Sequence, residues 1–216
     1  MMYEYITGSV EKDYQVFYTV DNDQRINAVF FAPKTGIEEA RRMPENLVID
    51  STYKINTHKP TFVNIVGTSS VRSTKPGTLM TFEVAGAFIS EEGNTQYEWV
   101  LSCLKKAIWS HADGPLTVTT YNEQALRNAI ATVFPSAHDI LCYVHMQKRF
   151  EAKLMECIAE KDKDRRDAIR QEIKMRFQAI ALKAITRKEI KIAVQRLKDF
   201  FLNQLDIFRK RQGKQF

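Results

Sequence analysis

The sequence predicts an α/β fold built on one mixed sheet, and three observations carry that prediction. A short apolar run, Leu47-Val48-Ile49, leads straight into Asp50. Two further β-rich stretches follow it across short polar connections. From residue 95 onward, helical periodicity alternates with short β-branched runs. An unbroken apolar run of this kind suits a strand buried on both faces, as in a mixed or parallel sheet. A carboxylate on such a strand is costly to bury unless a cation or hydrogen-bond donors meet it. Asp50 is therefore expected at a strand end, either holding a ligand or bonding the amides of a turn.

Taken in order, residues 15–20 and 26–31 are rich in β-branched and aromatic side chains. Asp21-Asn22-Asp23 between them is turn chemistry, so the pair is a hairpin. Thr35 to Met43 forms a short helix, with Thr35 and Glu38 spaced as a capping box and Pro44 as its stop. After the Asp50 strand, residues 61–68 and 79–89 are two more strands, with Pro76-Gly77 marking their turn. Short connections make this trio an antiparallel meander. Tyr97, Leu101, Leu104 and Ile108 then recur at helical spacing. Leu116 to Thr120 is a strand, and Thr120 to Glu123 fits a capping box opening a helix with Leu126, Ile130 and Val133 inside. Asp139 to Val144 is the last strand, and His145 leads into a helix with Met146, Phe150, Leu154 and Ile158 on one side. Ile169, Ile173, Phe177 and Ile180 mark another helix. Thr186 and Glu189 cap the final one, which carries Ile190, Val194, Leu197, Phe201, Leu205 and Phe208.

That order matches a ribonuclease-H-like mixed sheet: three antiparallel strands plus parallel strands with helical crossovers, an N-terminal β-hairpin and a C-terminal helical extension. It divides the chain into 1–45 (hairpin and short helix), 46–160 (core) and 161–216 (basic helical segment). At 216 residues the chain is long enough for one core and an appendage. No stretch approaches the roughly 18 apolar residues of a membrane span. The N-terminus lacks the basic start and apolar core of a secretory signal, and three cysteines are too few for a disulfide framework. An intracellular, reducing compartment and no membrane partner are expected. Charge is unevenly placed: residues 1–145 carry 12 Lys/Arg against 16 Asp/Glu, and residues 146–216 carry 20 against 10. Such a basic C-terminal third suits an acidic partner, nucleic acid first, or else a solvated face whose charges pair along helices.

Several motifs sharpen this picture. Val48-Ile49-Asp50-Ser51-Thr52-Tyr53-Lys54-Ile55-Asn56 resembles the first-aspartate motif of the Mutator-like element (MULE) transposases. Gly86-Ala87-Phe88-Ile89-Ser90, then Tyr97-Glu98-Trp99-Val100-Leu101, is similar to the strand and helix that follow in that family. Glu123 to Ile130 with Val133-Phe134-Pro135 resembles its next helix, and Leu141-Cys142-Tyr143-Val144-His145 matches its Cys-x-x-His. The resemblance spans roughly residues 20–150. It implies a DDE recombinase in the nucleus, with DNA, and in particular transposon ends, as partner. It implies two divalent ions, Mg²⁺ or Mn²⁺, held by two aspartates and a glutamate. Paired ions of this kind stabilise the attacking and leaving oxygens of an in-line displacement at phosphorus. A homo-oligomer is compatible with this reading.

On that resemblance Asp50 is the ancestral first aspartate and metal ligand. The place of the second aspartate is taken by Tyr121, whose neutral phenol is a poor Mg²⁺ ligand. Glu123, two residues on, is the substitute candidate, though its spacing also marks it as a cap. The family's third acidic residue lies beyond a helical insertion, inside which this chain is expected to stop. A catalytically incomplete transposase domain without tight metal binding follows, with a domesticated DNA-binding or transcription-regulatory protein as the alternative. Cys142 and His145 are spaced like half a zinc site or stand as a buried thiol and a bonded histidine; Cys103 and Cys157 are the other cysteines, Cys157 near its helix's inner face. Lys148, Arg149, Lys153, Arg165, Arg166, Arg170 and Lys174 are the candidate DNA-phosphate contacts. Trp99 and Trp109 are expected to pack rather than stack on bases.

Overall fold

The hairpin at the start is set by one aspartate. The Asp21 carboxylate accepts from the backbone N–H groups of Asp23 at 2.9 Å and Arg25 at 2.8 Å. Gln24 takes a left-handed φ of 61° inside that turn. Strand β1 (Tyr14–Val20) thereby returns as β2 (Ile26–Pro33). The computed structural model describes residues 13–52, 60–75, 77–158 and 160–212. Tyr53 to Asn56 of the first motif lie outside them.

Helix α1 (Lys34–Arg42) follows directly, then β3 (Asn46–Thr52), β4 (Thr61–Arg72) and β5 (Leu79–Ile89). Helix α2 (Asn94–Ile108), strand β6 (Thr117–Thr120), helix α3 (Gln124–Val133) and strand β7 (His138–Leu141) complete this part. The seven strands form one mixed sheet in the order β1-β2-β5-β4-β3-β6-β7. Pairings from β1 through β3 are antiparallel, while β3–β6 and β6–β7 are parallel. The fold class is α/β, as expected.

Strand alternation sends one set of side chains into the core. Phe30, Leu47, Ile49, Val63, Ile65 and Val118 are buried there with Ile37 and Ala40 of α1, Tyr97, Leu101 and Leu104 of α2, and Leu126 and Ile130 of α3. Each fully buried Leu or Ile contributes about 1.5–3 kcal/mol. The run Leu47-Val48-Ile49 departs from expectation here: Val48, between its buried neighbours, is only half-buried. On its side of the sheet the rings of Phe31, Phe62 and Phe88 cluster, with centroids 5.1–6.4 Å apart. Trp109 is buried and meets Phe134 edge-on at 6.0 Å, so its expected packing role holds.

The chain falls into two compact units, Met1–Cys142 and Tyr143–Phe216. The second consists of α4 (Tyr143–Ile158), α5 (Lys163–Gln178), a π-helical turn (Ala179–Lys183) and α6 (Arg187–Gln212). Phe177 packs against Tyr143 at 5.7 Å and Phe150 at 5.3 Å, and Ile173 and Leu197 are buried. Arg176 lies 4.7 Å over the Phe200 ring and donates to the Arg196 carbonyl. Thr186 and Glu189 form the expected capping box: Glu189 N–H donates to Thr186 Oγ1, and the Glu189 carboxylate accepts from the N–H groups of Thr186 and Ile185.

Three local expectations are corrected. Thr35 does not cap α1, because the helix starts one residue earlier behind Pro33, whose φ of −66° sets the entry. Thr120 does not cap α3, because its backbone is held in β6 beside Ile49 and Leu141; the cap is Glu123, accepting from Ala125 N–H. The last strand ends at Leu141, so Tyr143, Val144 and His145 form the first turn of α4.

Candidate functional site

Asp50 stands on the inner strand β3, half-buried, opposite Asn64 of β4. One of its carboxylate oxygens accepts from the Ser51 N–H at 3.1 Å. On the other side of β3, register pairs Ile49 with Thr120 in parallel. Tyr121 is the next residue, which places it level with Asp50 at the mouth of two parallel strands.

The phenol of Tyr121 is engaged elsewhere. Its hydroxyl donates to Glu92 Oε1 at 3.3 Å and lies 2.9 Å from the Tyr97 hydroxyl, which is 3.2 Å from Ser51 Oγ. Each hydroxyl has one proton to give. With Tyr121 donating to Glu92, Tyr97 must donate to Tyr121 and Ser51 to Tyr97. The chain Ser51–Tyr97–Tyr121–Glu92 thus ties β3, α2, the end of β6 and the loop before α2 into one hydrogen-bonded line. Sequence reasoning placed Tyr97 in the core but missed its hydroxyl. The available signal was general: a buried tyrosine needs a partner for its O–H.

Burial pushes the Tyr97 phenol far above the usual tyrosine range, and the neighbouring Tyr121 and Glu92 add to it while the Ser51 bond opposes it. Burial likewise raises Tyr121, with the hydrogen bonds of Ser51 and Tyr97 opposing and the charges of Glu92 and Glu123 reinforcing. A phenol whose folded pKa is raised stabilises the fold fully below the unfolded value near 10 and ceases to do so as pH climbs past it. Alkaline titration followed by phenolate absorbance and circular dichroism is expected to show a tyrosine component that ionises only with unfolding. Complete tyrosine ionisation in the still-folded protein would contradict the buried line.

The donor set does not suit a paired divalent site. Hard cations of the Mg²⁺ class take oxygen ligands, chiefly carboxylates. Near the end of β3 stand a serine hydroxyl, a neutral phenol and the Glu92 carboxylate that the phenol already bonds, and among the described residues no three His, Cys, Asp or Glu side chains converge as a metal site. Glu123 is occupied as the N-cap of α3. Cys142 closes the first unit, its N–H bonded to the Thr120 carbonyl at 2.6 Å, and His145 lies half-buried in the first turn of α4. Cys103 is buried in the core, where burial pushes its thiol up to about 11. Cys157 is exposed, not on the inner face of its helix.

The candidate phosphate contacts divide. Lys153 pairs with Glu156 at 3.0 Å, and Arg170 with Glu151 at 2.7 Å and Asp167 at 3.5 Å. Lys148, Arg149, Arg165 and Arg166 are exposed, and Lys174 is half-buried.

The Asp50 strand, the Tyr121 corner and the Cys-x-x-His all fall inside one family match: the model of the MULE transposase domain covers residues 46–149. That segment is similar to the MULE transposase domain along its whole length. The chain is also 28% identical over 140 residues to Protein FAR1-RELATED SEQUENCE 5 of Arabidopsis thaliana. The match takes in 64% of this chain and 17% of that relative, so the chain spans a small part of the relative's length. MULE transposases are in general metal-dependent. Among the described residues no helix is long and apolar enough to cross a membrane.

Proposed function

We propose that this chain is a DNA-binding MULE transposase domain whose catalytic centre is incomplete. In this reading residues 46–160 are a ribonuclease-H-like core, and 161–216 a basic helical segment. The strand order β5-β4-β3-β6-β7, with β3 central and parallel to β6, supports the core assignment. One observation carries the functional reading: Tyr121 occupies the place level with Asp50, and its hydroxyl is committed to Tyr97 and Glu92. A single aspartate cannot hold two cations against their mutual repulsion, so Asp50 is a relic of the chemistry. DNA affinity comes from the exposed cations Lys148, Arg149, Arg165 and Arg166, which give sequence-independent, salt-sensitive contacts in the nucleus.

The family match also favours a second form of this reading, a domesticated DNA-binding or transcription-regulatory protein. The packed core around the altered site supports it, because a fold kept without its chemistry retains Leu47, Ile49, Tyr97 and Leu101 fully buried. Both forms meet one test. The purified chain is titrated with duplex DNA over a salt series, and incubated with labelled DNA and Mn²⁺ beside Asp50→Ala. Expected are binding that weakens steeply with salt and no cleavage that depends on Asp50. Metal-dependent cleavage abolished by Asp50→Ala would make the chain an active nuclease instead.

A further inference from the structure

The longest hairpin of the sheet runs on past its neighbours. Strand β3 accompanies β4 only as far as the Leu47–Gly67 pair, and β2 accompanies β5 only as far as Phe31–Gly86. Beyond those points β4 and β5 pair with each other, through Thr68–Thr81 to Arg72–Leu79. The result is a two-stranded ribbon with both outer edges uncovered among the described residues.

Its composition is unlike the rest of the first unit. Residues 68–82 contain no Asp or Glu, two cations and seven Ser or Thr, in a unit whose other charges are mainly acidic. Arg72 and Lys75 are exposed, and no ion pair engages either among the described residues. Three aliphatic side chains, Val71, Leu79 and Met80, stand 57%, 51% and 52% exposed. A solvent-facing hairpin has no folding reason to display three large apolar groups. The turn is nevertheless well held: Ser73 N–H donates to the Thr78 carbonyl at 2.9 Å, Thr78 Oγ1 to the Lys75 carbonyl at 2.8 Å, and Gly77 supplies the left-handed φ of 74°.

We propose that this ribbon is a duplex-DNA contact that enters a groove, Arg72 and Lys75 gripping phosphates while Val71, Leu79 and Met80, divided between its two faces, press against the groove walls. The chemistry fits duplex DNA on three counts. Absence of acidic groups removes repulsion from phosphate, and hydroxyls with cations are the usual partners of the backbone. Two-stranded ribbons have the width to enter a groove. Apolar wedges of Leu, Met and similar residues are a recurrent means of gripping or kinking base steps. This inference rests on the DNA-binding reading above and adds a second contact surface, on the first unit, to the basic helices.

The test uses the whole chain and a fluorescent random-sequence duplex, read by anisotropy over a salt series. Two variants are compared with the wild type: R72S/K75S, and V71S/L79S/M80S. All five positions are exposed, and circular dichroism checks that both variants fold. R72S/K75S is expected to bind several-fold more weakly and to lower the salt slope by about 2, one per lost phosphate contact. V71S/L79S/M80S is expected to lose affinity several-fold with its salt slope unchanged. If the wild type binds and both variants match it, the ribbon is not a DNA contact, while the DNA-binding reading stands. If the wild type does not bind, both fall. Loss of binding to anionic lipid vesicles in the variants, with DNA titrations unaltered, would make the ribbon a membrane contact and overturn the inference.

Discussion

Tyr121→Asp is expected to lower the melting temperature by about 10 °C in the absence of metal and to recover much of that loss when Mn²⁺ is added. Tyr121 is 9% exposed, and its hydroxyl closes the Ser51–Tyr97 line onto Glu92. Removing a buried ring of this size costs about 3–5 kcal/mol. In a chain of this length each kcal/mol is worth roughly 2–4 °C. The new carboxylate also faces the charges of Glu92 and Glu123, which already raise the phenol it replaces. That crowding is relieved by a bound cation. At a concentration about 100 times its dissociation constant, a ligand of the folded state returns about 2.7 kcal/mol.

Three comparisons make the result decisive. The wild type is expected to melt at the same temperature with and without Mn²⁺. Tyr121→Asn, which lacks the repulsion from Glu92 and Glu123, should lose somewhat less stability and gain nothing from the metal. Adding Asp50→Ala to Tyr121→Asp should abolish the gain, because in the proposed reading Asp50, one residue past the Ile49–Thr120 pair, supplies the other carboxylate. Calorimetric titration of the same proteins reads the binding directly. A wild type that already binds tightly through Asp50 would show that the phenol is no obstacle, and the reading of an incomplete centre would fail.

The part of this site that was legible beforehand is the part written in the backbone. A β-rich run ending in Asp50, and a second ending beside Tyr121, place the two residues at the mouths of neighbouring strands, and the β3–β6 register agrees. The hydroxyl line was not legible, because it depends on where α2 sets Tyr97 over β3, a tertiary matter that spacing along the chain does not encode. The three capping boxes make the same point more sharply. All have Thr followed three residues later by Glu, yet only Thr186–Glu189 forms. At Thr186 nothing competes for the backbone. Thr120 is claimed by sheet pairing on both sides, and its Oγ1 lies 3.4 Å from Asp139. At Thr35 the fixed φ of Pro33 starts the helix early. A local motif decides structure where tertiary hydrogen bonds leave it free to do so.

Helix α1 supplies the other large effect, Gly36→Ala, where local preference and packing oppose each other. Glycine within a helix costs about 1 kcal/mol relative to alanine, so propensity alone makes this substitution stabilising. The packing says otherwise. A Cβ on Gly36 would collide with the Glu83 carbonyl oxygen and stand 3.0 Å from that of Val84. Both belong to β5, and that strand is held by β4 along its length, Glu83 being paired with Val66. Neither carbonyl can retreat without distorting the sheet, so α1 must move, carrying buried Ile37 and Ala40 with it. Overpacking of this kind costs about 1–3 kcal/mol and occasionally more. With backbone rather than a flexible side chain in the way, the upper end applies. A net loss of about 2 kcal/mol remains after the propensity gain. Gly77→Ala is the control: its φ of +74° is strained for alanine, but nothing lies within 4 Å of the added carbon. That strain is worth about 1 kcal/mol. Urea unfolding should therefore rank wild type above Gly77→Ala and Gly77→Ala above Gly36→Ala, the reverse of the order in which a helical and a left-handed glycine would be expected to tolerate a methyl group. A Gly36→Ala variant as stable as the wild type would mean that α1 is not seated on β5 as described, and that the entry to the Asp50 strand is held by other contacts.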